Sequence, residues 1–165
     1  MVEADEVERI GTGLYRLAET EPDANETIAI ISSTVPTAIV CLLSALRVHE
    51  IGTQLPPEVW IALPQGAYAP VRLPARVRVV RFSGPMLTYG VVQRTILGVS
   101  VSITSPARTV VDCFRFRKRI GLDVAMEALS AAIRDRQATV DEIWRAAEVC
   151  RIRTVIGPYL DALAI

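Results

Sequence analysis

The chain has 165 residues, 51% of them hydrophobic and 22% charged, enough for one domain with a sizeable core. Its apolar runs are broken by Pro, Arg or Ser well short of a membrane span, and no basic start leads into a long apolar stretch. The expected setting is therefore the cytoplasm, with no signal peptide and no membrane partner. Cys41, Cys113 and Cys150 stand far apart without a CxxC pattern, as expected of reduced, buried thiols. The formal net charge of zero conceals an asymmetry. Residues 1–58 hold ten acids and three arginines, a net of −7. Residues 59–119 hold nine arginines, one lysine and the single acid Asp112, a net of +9, and residues 120–165 carry −2. A stretch so poor in acids implies a basic surface. Either the acidic segments fold back onto it, or it meets nucleic acid.

In chain order, residues 1–9 read as the last turn of a helix. Residues 10–18 read as a turn with Gly11 and Gly13, then a short strand through Leu14-Tyr15-Arg16-Leu17. Residues 19–25 are polar and contain Pro22, a linker or turn. A helix follows over 26–33, with Ile28, Ile31 and Val35 inward. Pro36 is placed to start another helix, in which Ile39, Leu42, Leu43 and Leu46 form one face ending near His49. His49 is the single histidine; with no second ligand at metal spacing, it is expected to meet the carbonyls of its own helix end.

Residues 58–63 (EVWIAL) are apolar on both faces and predict a central strand. A Pro-rich loop over 64–74 leads to a second strand, 76–82, with Arg76 and Arg78 on one face and Val77 and Val79 on the other. Segments 90–96 and 99–105 form a hairpin around Leu97-Gly98. There Val99, Val101 and Ile103 face inward, and Ser100, Ser102 and Thr104 outward. Ser105-Pro106 then supplies a helix start. Ala107, Val110, Val111 and Phe114 make its apolar face. Arg108, Asp112, Arg115 and Arg119 form a charged stripe expected to face water, with Gly121 as the stop. The next helix carries Leu122, Ala125, Met126, Leu129, Ala132 and Ile133. Thr139 and Glu142 spell a capping box for a helix buried through Val140, Ile143, Trp144 and Ala147. The last helix, 152–164, turns Ile156, Tyr159, Leu160 and Leu163 inward and contains Pro158. Helices, a run of four strands, then helices predict an α+β fold: a mixed or antiparallel sheet of about four strands flanked by N-terminal and C-terminal helices.

The segment 105–129 has a recognisable pattern. It runs Ser105-Pro106, Ala107-Arg108-Thr109, Val110-Val111, Asp112-Cys113-Phe114, Arg115-Phe116-Arg117, then Ile120 to Leu129. With Cys41 to Leu46, His49, Gln54-Leu55-Pro56, Val59-Trp60 and Pro158-Tyr159-Leu160, it resembles the AbiEi family. These are antitoxins and transcriptional regulators of type IV toxin–antitoxin systems linked to abortive infection by phage. Gly52 stands where Thr is common in that family, and Arg108 where Lys is common. The resemblance implies that residues 1–18 are the tail of an N-terminal winged helix-turn-helix, with Arg9 and Arg16 on its wing. It also implies that 19–165 are the C-terminal antitoxin domain. Arg108, Thr109 and Asp112 are its motif residues. The implied partners are promoter DNA, through a complete winged helix, and a nucleotidyltransferase toxin that the antitoxin counteracts without a stable complex.

No enzyme is expected. Between Glu58 and Asp123 the one carboxylate is Asp112, four residues from Arg108 and three from Arg115, so a helix-face ion pair explains it before a metal does. No phosphate-binding glycine loop or nucleophile elbow is present, and no cofactor is expected. Two further readings stay open. One is a sequence-indifferent nucleic-acid module using Arg72, Arg76, Arg78, Arg81, Arg94, Arg115, Arg117, Lys118 and Arg119. The other is an interaction scaffold in which Arg108, Arg115 and Arg119 pair with an acidic partner.

Overall fold

A computed structural model describes residues 23–70 and 76–163, together with the backbone of 7–11 and 14–17. The fold is α+β: seven helices, among the described residues, and a five-stranded mixed sheet. The chain opens with β1 (Val7–Gly11) paired antiparallel to β2 (Leu14–Leu17). Residues 7–9 are thus strand rather than the end of a helix. Glu8 and Arg9 pair with Arg16 and Tyr15, and this ladder takes the backbone groups that a helix would have used.

Helix α1 (Ala24–Thr34) begins inside the expected linker, because the Asp23 carboxylate accepts the Glu26 N–H at 2.8 Å and closes the first turn. Strand β3 (Ile39–Val40) and helix α2 (Leu42–Val48) then replace the single helix expected after Pro36. Ile39 has helical spacing to Leu42, but it lies between β4 (Val59–Pro64) and β7 (Val99–Thr104), whose ladders claim its backbone. The change from strand to helix is abrupt and leaves buried Leu42 at φ +48°. Ser44 finishes the short ladder, its hydroxyl accepting the Trp60 N–H at 2.8 Å.

The sheet order is β5-β4-β3-β7-β6, with β5 (Val77–Phe82) and β6 (Val91–Ile96) at its edges. β4–β5 and β3–β7 are parallel; β3–β4 and β6–β7 are antiparallel. β4 is interior, as its apolar sequence requires. Its Val59, Ile61 and Leu63 meet Ile28 and Ile31 of α1, with Val101 and Ile103. Its Trp60 and Ala62 meet the opposite layer, with Val80 and Phe82 of β5. That layer is built from α3 (Pro106–Arg115), α4 (Arg117–Ile120), α5 (Leu122–Arg134), α6 (Val140–Val149) and α7 (Arg153–Leu163). The sheet therefore has a core on each face, and the second is the larger.

The Ser105 and Thr139 caps form as expected, the latter with the reciprocal Glu142 bond of a capping box. Further expectations fail, among them Leu122, which is 41% exposed rather than on the buried face of α5. Thr104 is buried rather than outward, because its hydroxyl bonds the Thr109 hydroxyl at 2.7 Å. Leu163 is 42% exposed, past the last turn that reaches the core. The helix from Ser105 breaks at Phe116, before Gly121, and restarts as α4. Cys41, Cys113 and Cys150 are free and buried, and burial raises all three thiol pKa values. No helix among the described residues is long and apolar enough to cross a membrane.

Two glycines separate backbone strain from packing. Gly90 (φ +69°) would set a Cβ 2.7 Å from the Cβ of buried Arg108, whereas Gly98 (φ +77°) has open space around it. Gly98→Ala is expected to cost about 1 kcal/mol, the strain of a left-handed residue. Gly90→Ala should cost clearly more, about 2–4 kcal/mol, since overpacking adds to that strain. Thermal or urea melts of the two variants would separate the contributions.

Candidate contact surface

The motif residues of α3 face the interior. Arg108 and Asp112 are both fully buried, against the expectation of a wet charged stripe. Arg108 Nε donates to Asp112 Oδ1 at 2.9 Å, and its Nη1 donates to the carbonyls of Met86 at 2.8 Å and Tyr89 at 2.6 Å. Its guanidinium carbon lies 4.6 Å from the Phe82 ring centroid. Amphipathic spacing assumes one wet side, but α3 packs between the sheet side, α5 and α6, and has none at this level. Thr109 completes the anchor: its hydroxyl meets the carbonyls of Ser105 at 2.7 Å and Thr104 at 3.1 Å. Arg108, Thr109 and Asp112 thus tie α3 to β7 and to the 3₁₀ turn Gly84–Leu87 that precedes β6. Burial raises the Asp112 pKa to about 6, with Arg108 pulling the other way.

The exposed basic residues divide by position. Trp60, nearly buried on β4, has the Arg78 guanidinium 6.0 Å from its ring centroid and the Arg119 guanidinium at 5.9 Å. This brings the β5 edge and α4 together. Lys118 is exposed beside Arg119, and Arg115 is exposed one turn earlier. Arg115 donates to the Cys150 carbonyl at 2.9 Å, and Arg117 to the Phe114 carbonyl at 3.0 Å. Each of these cations sits against the carbonyl end of a helix, where the peptide dipoles favour it. Arg78 and Arg119 therefore meet about Trp60 on the β5–α4 side, with Arg117 and Lys118 on the same short helix, while Arg115 reaches the start of the α6–α7 connection.

Other residues of the expected set stand apart. Arg81 lies on β5, half-buried, donating to the carbonyls of Pro64 at 3.0 Å and Ala67 at 2.6 Å. Arg76 is exposed but lines a small cleft of about 220 Å³ with Asp23, Thr27, Arg47 and Glu58. Arg94 is on β6, near the Val48 carbonyl and His49. The side chains of Arg9 and Arg16, and all of Arg72, lie outside the described residues. Of the ion pairs among the described residues, Arg78–Glu58 is the one joining the acidic N-terminal third to the basic segment.

Two contributors escape a reading by sequence alone. Arg151 and Arg153 are exposed at the α6–α7 corner, adjoining the Cys150 carbonyl that Arg115 holds, and Arg153 lies 5.1 Å from the Trp144 ring centroid. They sit in a net-acidic stretch, and the hydrogen bond that brings Arg115 to them spans 35 residues. Trp60 belongs by sequence to an apolar strand; its place between two guanidiniums depends on the β4–β5 register. His49 also departs from expectation. Its Nε2 meets the Thr104 carbonyl at 2.7 Å, on β7 rather than on its own helix, and burial with nearby Arg94 lowers its pKa. A wider cleft, about 700 Å³, lies beyond α2 and includes Arg47, Thr53, Gln54, Leu55, Arg94 and Leu97. Among the described residues, no three His, Cys, Asp or Glu side chains converge at metal-binding distance.

No known protein-family model matches this chain, and no curated protein matches it.

Removing Arg108 would strand a buried carboxylate and two carbonyls. Arg108→Ala is expected to cost about 3–5 kcal/mol. Arg108→Lys should recover only part, because a point charge cannot bond both carbonyls and Asp112 as the fork does. Asp112 titrates near 6 in the fold, above its ordinary 3.8. A carboxyl raised in this way favours the fold while protonated, so its contribution is fullest below the unfolded value and is lost as pH rises from there through about 6. Stability differences between the wild type and Asp112→Asn, measured by urea melts from pH 4 to 7, should move against the wild type by on the order of 1–3 kcal/mol. A flat difference would show that the pair stays ionised throughout.

Proposed function

We propose that this chain is the antitoxin component of a type IV toxin–antitoxin system and a transcriptional autoregulator, counteracting a nucleotidyltransferase toxin in the cytoplasm without forming a stable complex with it. What carries the reading is the resemblance of segment 105–129 to the AbiEi antitoxins. The geometry gives that pattern a physical sense. Its Arg108, Thr109 and Asp112 anchor α3 internally, while Arg115, Arg117, Lys118 and Arg119 emerge from the same segment at the surface. One short motif thereby both fixes the fold and supplies side chains for a partner. In this reading β1 and β2 are the wing of a winged helix-turn-helix, and promoter DNA is the partner of that element when complete.

A second reading rests on the basic side itself: nucleic-acid phosphates, met without base contacts, would give salt-sensitive and sequence-indifferent binding. Lys118→Glu with Arg119→Glu tests both, because the two side chains are exposed on α4, away from the bonds that anchor α3. Co-expression of this chain with a cognate nucleotidyltransferase toxin is expected to restore growth, and the double variant to restore it at least tenfold less at an unchanged melting temperature. Growth arrest despite abundant wild-type chain would overturn the antitoxin reading. In gel shifts across salt, the nucleic-acid reading expects a steep dependence of affinity on salt. Its logarithmic slope should fall by about 2 in the double variant, close to 0.9 for each phosphate no longer neutralised. Affinity indifferent to salt would remove it.

A further inference from the structure

The sheet ends on one side at β6, and that edge is unusually open. Val92, Gln93, Arg94 and Thr95 are four consecutive exposed residues, so neither face of the strand is covered there. The strand pairs with β7 over six residues without a bulge. It contains no proline and one charge, Arg94, whose guanidinium turns back toward the Val48 carbonyl and His49. Edge strands are ordinarily protected by charges, prolines or bulges. The opposite edge, β5, carries Arg78 and Arg81. β6 has little of this protection.

Its backbone polarity can be read from the hairpin. Ser105 N–H donates to the Gly90 carbonyl, and Leu97 (φ +51°) and Gly98 (φ +77°) make the two-residue turn that closes on the Ile96–Val99 pair. Antiparallel pairs alternate in hydrogen bonding. Residues 90, 92, 94 and 96 therefore bond inward to β7, and Val91, Gln93 and Thr95 turn outward; the Val91 N–H is already donated to the Thr88 carbonyl at 3.2 Å, which leaves the Val91 carbonyl and both backbone groups of Gln93 and Thr95.

We propose that β6 is a self-association edge, on which two copies of this chain pair antiparallel about a two-fold axis at Gln93. This register sets Gln93 opposite the second copy's Gln93, both backbone groups paired, and Val91 opposite its Thr95, the Thr95 N–H donating to the Val91 carbonyl of the other copy. Arg94 then falls opposite Val92 of the other copy. An axis at Arg94 would oppose two arginines and present inward-bonded groups; an axis at Thr95 would run into the turn at Leu97. The occupant that fits is thus the strand itself, because about Gln93 it pairs β-branched Val91 with Thr95 and sets no like charges opposite each other.

Sedimentation equilibrium across protein concentration tests this. The expected mass rises toward twice the 18.0 kDa of one chain and persists in molar salt, since the pairing is backbone-mediated. Gln93→Lys opposes two lysines at the axis and should raise the dissociation constant about tenfold or more. In case that variant is less stable, cysteine cross-linking reads the register separately, as the native cysteines are all buried. Gln93→Cys should form a disulfide-linked dimer on mild oxidation. Thr95→Cys should not, its two copies lying roughly 14 Å apart along the strands. A single-chain mass at high concentration, equal cross-linking at both positions, or a dimer dispersed by salt would overturn the proposal. So would heterologous capture of an extended peptide on β6 with no self-association.

Discussion

The buried pair of Arg108 and Asp112 is the constraint on which the helical layer depends. A buried ion pair rarely adds much net stability, because removing both charges from water offsets their attraction. Its effect is on specificity. Arg108 bonds Asp112 within its own helix and two carbonyls from the turn before β6, so α3 has one rotation and one height relative to the sheet. Thr109 repeats the constraint toward β7. Gly90 makes room for it, since a side chain there would occupy the space of the Arg108 Cβ. Once α3 is fixed, α5 and α6 pack on its flanks and α7 closes over Phe114, whose ring lies 5.2 Å from that of Tyr159.

A second consequence concerns the arginines. A chain segment rich in guanidinium and poor in local carboxylate must satisfy many donors by other means. Here backbone carbonyls accept them: Pro64 and Ala67 for Arg81, Cys150 for Arg115, Phe114 for Arg117. A carbonyl binds a guanidinium without neutralising it. The positive charge is therefore positioned but retained, which a network of acids would not allow. This is how a structural role and a basic exterior coexist in the same residues.

Gly52 is a glycine with a physical reason in both backbone and packing. It lies at φ +74°, and a Cβ there would collide with the Glu127 carboxylate. That carboxylate accepts both the backbone N–H and the hydroxyl of Thr53. Glycine at 52 lets α5 hold the loop after α2 through these bonds, and a larger residue would require Glu127 to move.

Local features are legible from residues alone. The Ser105 and Thr139 caps, the Gly98 hairpin, the two-sided apolar β4 and the buried cysteines follow from interactions within a few residues or from side-chain hydrophobicity, and the α+β class follows from their order. The chain's imbalance of charge is equally plain. What spacing cannot supply is which side of an element meets another element. Ile39 has helical spacing, yet two neighbouring strands take its backbone; Arg108 and Asp112 have the spacing of a wet stripe, yet packing encloses both sides of α3. The grouping of Arg78 with Arg119 about Trp60, and of Arg115 with the α6–α7 corner, likewise arises only in three dimensions. Local sequence sets conformational preference and polarity, whereas burial and long-range hydrogen bonding depend on surfaces brought together from distant parts of the chain.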